Sequence, residues 1–400
     1  MWNFPCETIE SASADRRKYP FNFLNLLFIM KCSVFVVAVA LVMASCSQDE
    51  TTGINKGSTI RFRTSVERTT RGVQTTLADL GEFKVTAVGN GANYFTDLGV
   101  SSSDNGATWT PAKIYYWPSY DLDFCAYAPQ SLAGVSVSAD ARTIEDFIPS
   151  ATVADQQDLL IACNTGSKAA NESSGVSLNF KHALSRISVK AKCMNPDMQV
   201  EVLGVKICRV PSTATFTFPS EVPSESYVLP QANWTTPTTP ADYVVRGGSA
   251  VTLTADAQSI MFGDDGFMLI PQKLTAWSQG AANDGAYLSV LCRISSLDGG
   301  RATQLYPVPT DENAGKYAFS AVPIDTDWQP GYHYAYTLEF CGANSGGGLI
   351  DPSPTNPADP DDADVDPTPG TGGEEILSEP IRFSVTVDEW KDAAPENMDM

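Results

Sequence analysis

The chain is 400 residues long and 43% hydrophobic, with a net charge of -21 from 47 acidic against 26 basic residues. That length exceeds what one core usually organises, and the apolar fraction is too high for a disordered protein. The acidic balance argues against a nucleic-acid partner, because phosphate binding needs clustered Lys and Arg, and it suits a soluble particle outside the cell.

The first feature along the chain is an address label. Met30-Lys31-Cys32 opens a short apolar run from Ser33 to Ala44, and small residues Ala44 and Ser45 precede Cys46. A basic start, a short apolar core and small residues before a cysteine have the form of a secretory signal peptide. The run is about half of what spans a bilayer. Ala44-Ser45-Cys46 resembles the lipobox of bacterial lipoproteins, which implies acylation of Cys46 on sulfur and a new N-terminus there. Residues 1–29, with Arg16, Arg17 and Lys18 followed by Phe21 to Ile29, do not fit this logic. Met30 is therefore the expected initiator, and 1–45 is read as an upstream extension plus signal peptide. The competing reading is one membrane helix from Phe21 to Ser45, interrupted by Lys31; it gives no reason for a Ser-Cys pair followed by polar residues. Ser47, Gln48, Asp49 and Glu50 resemble the surface-export signal of Bacteroidetes-type lipoproteins, and 46–58 reads as a tether.

Beyond the tether, helical apolar spacing is nearly absent. Short alternating or apolar stretches recur between Gly, Pro, Asn, Asp and Ser, which predicts an all-β fold of sandwich type. Strands are predicted at Thr59–Val66, Glu82–Gly89, Ala112–Tyr116, Leu122–Tyr127, Asp158–Cys163, Val176–Phe180, Arg186–Cys193, Glu201–Val210 and Ala214–Phe218. Further strands are predicted at Ala250–Leu253, Gly266–Ile270, Ala286–Ile294, Thr303–Pro307, Tyr332–Leu338 and Ile381–Val387. In Arg186–Cys193, Ile187, Val189 and Ala191 share one face and the charged residues the other, so that strand is half-buried. Ala286–Ile294 alternates less cleanly and is expected to bury both faces. The Pro/Ser/Thr-rich stretch 219–239 reads as a linker between a first sandwich at 59–218 and a second at 240–392. Residues 342–375 hold eight acidic side chains and no Lys or Arg, and read as an exposed, largely disordered insertion.

No motif carries catalytic chemistry. The nine cysteines form no CxxC pair, which argues against zinc and redox-motif readings. Cys125, Cys163, Cys193, Cys208 and Cys292 sit in apolar or alternating runs and are expected as mostly free, buried thiols. A disulfide after export is open, but sequence cannot choose its partners. The two histidines, His182 and His333, lie in or beside apolar strands and read as structural. There is no GxSxG elbow, P-loop or HExxH, and Gly89 to Tyr94 reads as a turn. Asp362, Asp364 and Asp366 begin like a calcium loop, but Pro367 and Gly373 stand where Gly and Glu are required. Trp109, Trp117, Trp234, Trp277 and Trp328 could stack on sugars, although aromatic residues in a sandwich more often fill cores. The expectation is no enzyme, no cofactor and no metal.

Several segments taken together carry a resemblance. They are Ile114 to Pro118 with Leu122 to Pro129, Asp158 to Ile161, Leu178 to Ile187, Met268 to Gln272, and Ile381 to Trp390. In this order after a lipobox they resemble the fimbrillin-like lipoproteins, subunits and accessory proteins of Bacteroidetes-type pili. The resemblance implies two transthyretin-like β-sandwich domains in tandem after the signal peptide. It also implies assembly by strand exchange, in which an arginine-specific protease removes a first strand and a neighbouring subunit fills the groove. Carried over residue by residue, Ile60, Phe62 and Val66 point inward on the departing strand. Arg71, before Gly72, is the first choice for the scissile bond and Arg68 the second; the plain alternative is two solvated loop charges. Ile381, Phe383, Val385 and Val387 form the inward row of the terminal strand. The implied role is a structural subunit, or an accessory or tip component, of a fimbrium involved in adhesion. Its partners would be other pilus subunits and, through the lipid on Cys46, the outer membrane. The alternative is a monomeric surface lipoprotein that binds a host glycan or protein.

Overall fold

Apolar and polar residues alternate along most of the computed structural model, which describes residues 58–66, 80–132, 135–137, 140, 142–264, 266–279, 285–353, 362–367 and 369–389. The chain opens with β1 (Phe62–Val66), β2 (Glu82–Gly89), β3 (Ala92–Ser101), β4 (Thr110–Pro111), β5 (Leu122–Ala128), β6 (Ser136–Val137) and β7 (Thr143–Phe147). It continues through β8 (Leu160–Gly166), β9 (Val176–His182), β10 (Ser185–Cys193), β11 (Met198–Thr217), β12 (Thr238–Thr252), β13 (Gln258–Ser259) and β14 (Phe267–Leu269). The last strands are β15 (Tyr287–Asp298), β16 (Arg301–Tyr306), β17 (Ala318–Pro323), β18 (Tyr332–Phe340), β19 (Leu349–Ile350) and β20 (Arg382–Glu389). The fold is all-β, as the patterning requires.

Three sheets result. The first runs β1-β9-β8-β5-β2-β3-β4. The second runs β13-β10-β18-β20, with β14 also on β10. The third runs β19-β17-β15-β11-β7-β6, with β12 on β11 and β16 on β15.

The period of two explains how the cores form. On β5 and β8, Phe124, Ala126, Leu160 and Ala162 enter one core with Phe83, Trp109 and Trp117. Their neighbours Cys125, Tyr127, Ile161 and Cys163 enter another with Phe216, Leu229 and Trp234. A sheet covered on both faces has no use for polar positions, so these strands read as unbroken apolar runs. The largest core takes Ile187, Val189 and Ala191 from β10, Leu288, Val290 and Ile294 from β15, and Tyr334, Tyr336 and Leu338 from β18. On β15 the opposite face is buried too, through Tyr287 and Leu291.

Strand pairing departs from a division at 219–239. β10 and β11, placed by sequence in the first sandwich, pair chiefly with strands between 238 and 389. All described residues fall in one compact unit, Asn55–Met400. The expected linker is itself packed: Val222, Leu229 and Trp234 are buried. The Val222 amide donates to the Cys163 carbonyl at 2.7 Å, and Trp234 Nε1 donates to the Ala183 carbonyl at 2.8 Å. Three large apolar residues among small polar ones are enough to hold such a strap against a sheet.

The described residues of 342–375 likewise contradict an exposed insertion. β19 pairs with β17, Val365 bridges Tyr317, and Asp351 is fully buried 2.8 Å from the Lys206 ammonium. Asp362 pairs with Arg246. Part of the acidic charge is neutralised by strand cations rather than left to solvent. Ala112–Tyr116 is no strand; it has only an isolated bridge at Tyr116, with Tyr115 half-buried and Tyr116 exposed.

Candidate functional site

β1 is the outermost strand of the first sheet. It pairs in parallel with β9, from Phe62 opposite Val176 to Val66 opposite Phe180, and no described strand occupies its other side. Its inward residues are nevertheless sealed: Ile60, Phe62 and Val66 are 3%, 7% and 4% exposed. The Phe62 ring stands edge-on to Phe83 at 6.0 Å and to Phe124 at 5.8 Å, the geometry that aromatic quadrupoles favour. Ahead of the strand, the Ile60 amide donates to the Tyr115 carbonyl at 2.9 Å, and the Trp117 amide donates to Ser58 at 3.1 Å. The Val176 amide donates to Arg61 at 2.8 Å. Gly175 permits that approach, because it holds φ +75 and a Cβ there would lie 3.1 Å from the Arg61 carbonyl oxygen.

This arrangement can do one thing chemically without any reactive group. Loss of β1 together with the residues just ahead of it would bare the unpaired N–H and C=O row of β9 and empty the apolar positions of Ile60, Phe62 and Val66. Both defects are of the kind an incoming strand repairs by β-augmentation. The docking of 58–60 on Tyr115 and Trp117 was not foreseen from sequence; the only signal was the ring cluster itself, ahead of Pro118.

β20 is the outermost strand of the second sheet and pairs antiparallel with β18, from Tyr332 opposite Glu389 to Glu339 opposite Arg382. Ile381 is buried, and Phe383 and Val385 are half-buried against the largest core, with the Phe383 ring 5.9 Å from that of Tyr336. Val387 is 48% exposed. The expected inward row therefore ends at Val385; Val387 is left exposed although it stands opposite the buried Tyr334. The two border strands belong to different sheets. Cys46, Arg68 and Arg71 lie outside the described residues.

The remaining candidates are structural. Trp109, Trp117, Trp234, Trp277 and Trp328 are all buried, so none offers an indole face to a sugar. His182 Nδ1 contacts the buried Asp158 carboxylate. Among the described residues no three His, Cys, Asp or Glu side chains converge as a metal site. His333 Nε2 lies 2.8 Å from Ser188 Oγ. Burial, reinforced by the Arg186 guanidinium, pulls its pKa down to about 4 from the ordinary 6.5. Because the folded value is depressed, the unfolded chain takes the proton first as pH falls. The contribution of neutral His333 is complete above about 6.5 and is lost toward about 4. Urea unfolding of His333→Gln is expected to show a shallower loss of stability between these limits than the parent, by on the order of 1–2 kcal/mol after discounting for partial exposure. Parallel pH profiles would overturn that reading.

A family model described as fimbrillin-like matches residues 69–351. No curated protein matches the chain. Among solved structures, a fimbrial protein from Bacteroides vulgatus is 13% identical, covers 84% of this chain and 100% of its own, and superposes with a TM-score of 0.48. A candidate cell adhesion protein from Bacteroides uniformis is 14% identical over 86% of this chain and 100% of its own, with a TM-score of 0.42. A similar one from Parabacteroides distasonis is 12% identical over 83% and 99%, with a TM-score of 0.44.

Proposed function

The chain belongs to the fimbrillin-like family, and from that premise we propose that it is a structural subunit, or an accessory or tip component, of a cell-surface pilus assembled by exchange of border strands. As a member of that family it is a structural protein and not an enzyme. One observation carries the assembly reading: β1 is paired on one side only while its Phe62 and Val66, with Ile60 just ahead of it, are sealed in the core of its sheet. Such a strand can be surrendered without unthreading the sheet, and the gap it leaves favours replacement over solvation. Each ladder hydrogen bond regained is worth roughly 1 kcal/mol net. Each apolar side chain reburied is worth about 1.5–3 kcal/mol.

In this reading an arginine-specific protease cuts after Arg71, or after Arg68, and frees β1. A strand from a neighbouring subunit takes the place beside β9. β20 is the candidate donor within this chain, because it too is a border strand and its apolar row Ile381, Phe383 and Val385 alternates as an inserted strand must. The lipid on Cys46 ties the subunit to the outer membrane until cleavage. The two-sandwich organisation is part of this proposal.

The test uses purified protein carrying Cys46→Ala, treated with an arginine-specific protease. SDS-stable ladders are expected after a cut near Arg71. They should vanish in Arg71→Ala and in a chain lacking Pro380–Met400. A protein that is clipped yet stays monomeric would overturn polymerisation and leave a surface lipoprotein that binds a host glycan or protein.

A further inference from the structure

The six described cysteines are all buried, and they are not evenly placed. Cys125 on β5 stands directly opposite Cys163 on β8 in an antiparallel pair. Both side chains point into the same core, and their sulfurs are 3.6 Å apart. Directly opposed residues of adjacent strands have the Cα separation that a disulfide needs. Cys193 ends β10 opposite Phe340 of β18, and Cys341 follows at once. There the chain turns back with a φ of +52 at Cys341, and the Met194 amide donates to the Phe340 carbonyl at 3.1 Å. Cys193 and Cys341 are both buried in the same core, one residue out of register. Cys208 and Cys292 sit on opposite faces of the third sheet, in separate cores.

The geometry points to two disulfides in the exported protein, Cys125–Cys163 and Cys193–Cys341, with Cys208 and Cys292 left as thiols. The inference rests on the export reading for the presence of an oxidant, here a thiol oxidase carrying an exchangeable disulfide. In each pair one thiolate attacks that disulfide and forms a mixed disulfide, releasing one oxidase thiol. The second cysteine loses its proton and attacks the first sulfur, expelling the other oxidase thiol. Two electrons and two protons thus pass from the chain to the oxidase disulfide.

The two thiols of each pair sit in unequal environments. The Cys163 thiol, donating to Cys125, holds the Cys125 pKa below the ordinary thiol value, while burial pushes Cys163 up. The Cys341 thiol likewise draws Cys193 down to about 7.

The placement bears on load. In the first sheet, β8 is one strand in from the border pair β9 and β1, so a link to β5 keeps the interior closed if β1 leaves. In the second, β18 carries the border strand β20, and the Cys193–Cys341 link fastens the end of β18 to β10. Pulling on a border strand would then act on covalently closed sheets.

The test incubates the full chain, purified in detergent, at an oxidising glutathione poise, then traps thiols with N-ethylmaleimide and maps peptides with and without reduction. Two linked peptide pairs are expected, each about 2 mass units lighter than its separate parts through loss of two hydrogens. Cys208 and Cys292 should be alkylated only after denaturation. Cys125→Ala should abolish the first link and leave the second. Free thiols at all four positions after oxidation, or links in another pairing, would overturn the proposal. Linkage in the tube combined with free thiols in protein taken directly from cells would support the pairing and overturn the export reading instead.

Discussion

Replacing Lys206 with methionine is expected to lower the free energy of unfolding by about 3–5 kcal/mol, the cost of leaving a buried charge without its partner. Lys206 and Asp351 have side chains that are 1% and 0% exposed, and the ammonium lies 2.8 Å from Asp351 Oδ2. The carboxylate also accepts from Tyr287 at 3.0 Å, from Ser289 at 2.6 Å and from the Ser353 amide at 2.7 Å. Nζ donates to the Ser353 carbonyl at 3.0 Å and sits 4.2 Å above the Phe319 ring. Every polar group in this cluster is satisfied inside the protein, so removing one cation strands an anion with no water to replace it. The pair itself need not be stabilising relative to apolar residues of similar volume. The double variant Lys206→Met/Asp351→Leu should therefore recover most of the loss, giving a coupling energy of at least about 2 kcal/mol. Urea unfolding at neutral pH reads both values. A single variant within about 0.5 kcal/mol of the parent would show that the cluster is hydrated or dispensable.

That cluster also shows why composition misled about 342–375. An acidic, Gly/Pro-rich segment reads as solvated because its partners are invisible locally. Lys206 and Arg246 sit on β11 and β12, more than a hundred residues upstream, and nothing in the run of acids names them. The strands that were legible are those in which one rule dominates. β5, β10 and β20 alternate or run apolar without interruption, and were found within a residue or two. β3 was missed because Asp97 adopts a φ of +48 amid register shifts opposite β2, so its polar residues never settle on one face. β12 was largely missed because it pairs only with β11 and buries little besides Tyr243 and Val245. β17 is short and rich in small residues that carry no period.

The border position of β1 belongs to a different class of information. Alternation says which side chains point inward, and Ile60, Phe62 and Val66 obeyed it. It says nothing about whether a strand has one neighbour or two, since pairing runs perpendicular to the side chains. Only the family resemblance raised that question in the sequence, and only the sheet order answers it. Cysteine partners are hidden for the same reason: 38 residues separate Cys125 from Cys163, and the register that opposes them is a property of the sheet.

The strand-exchange reading makes its sharpest demand on Phe62. In the intact chain, Phe62→Ala is expected to cost about 3–5 kcal/mol, as for other buried phenylalanines. Its ring fills the space between Phe83 and Phe124 and is only 7% exposed. Val387→Ala, at an exposed position of the other border strand, should stay within about 0.5 kcal/mol and serves as the surface control. After cleavage following Arg71 the two predictions diverge. If β1 departs, the stability of the processed protein can no longer depend on residue 62, and the cost of Phe62→Ala should fall to nothing measurable. If β1 stays in its groove as a non-covalent fragment, the full cost persists, because the ring is still seated against Phe83 and Phe124. Urea unfolding of parent and variant before and after cleavage therefore reads strand departure directly, without requiring that any polymer has formed. A persistent cost would show that the cut is silent and that the border strand is a fixed part of the sheet.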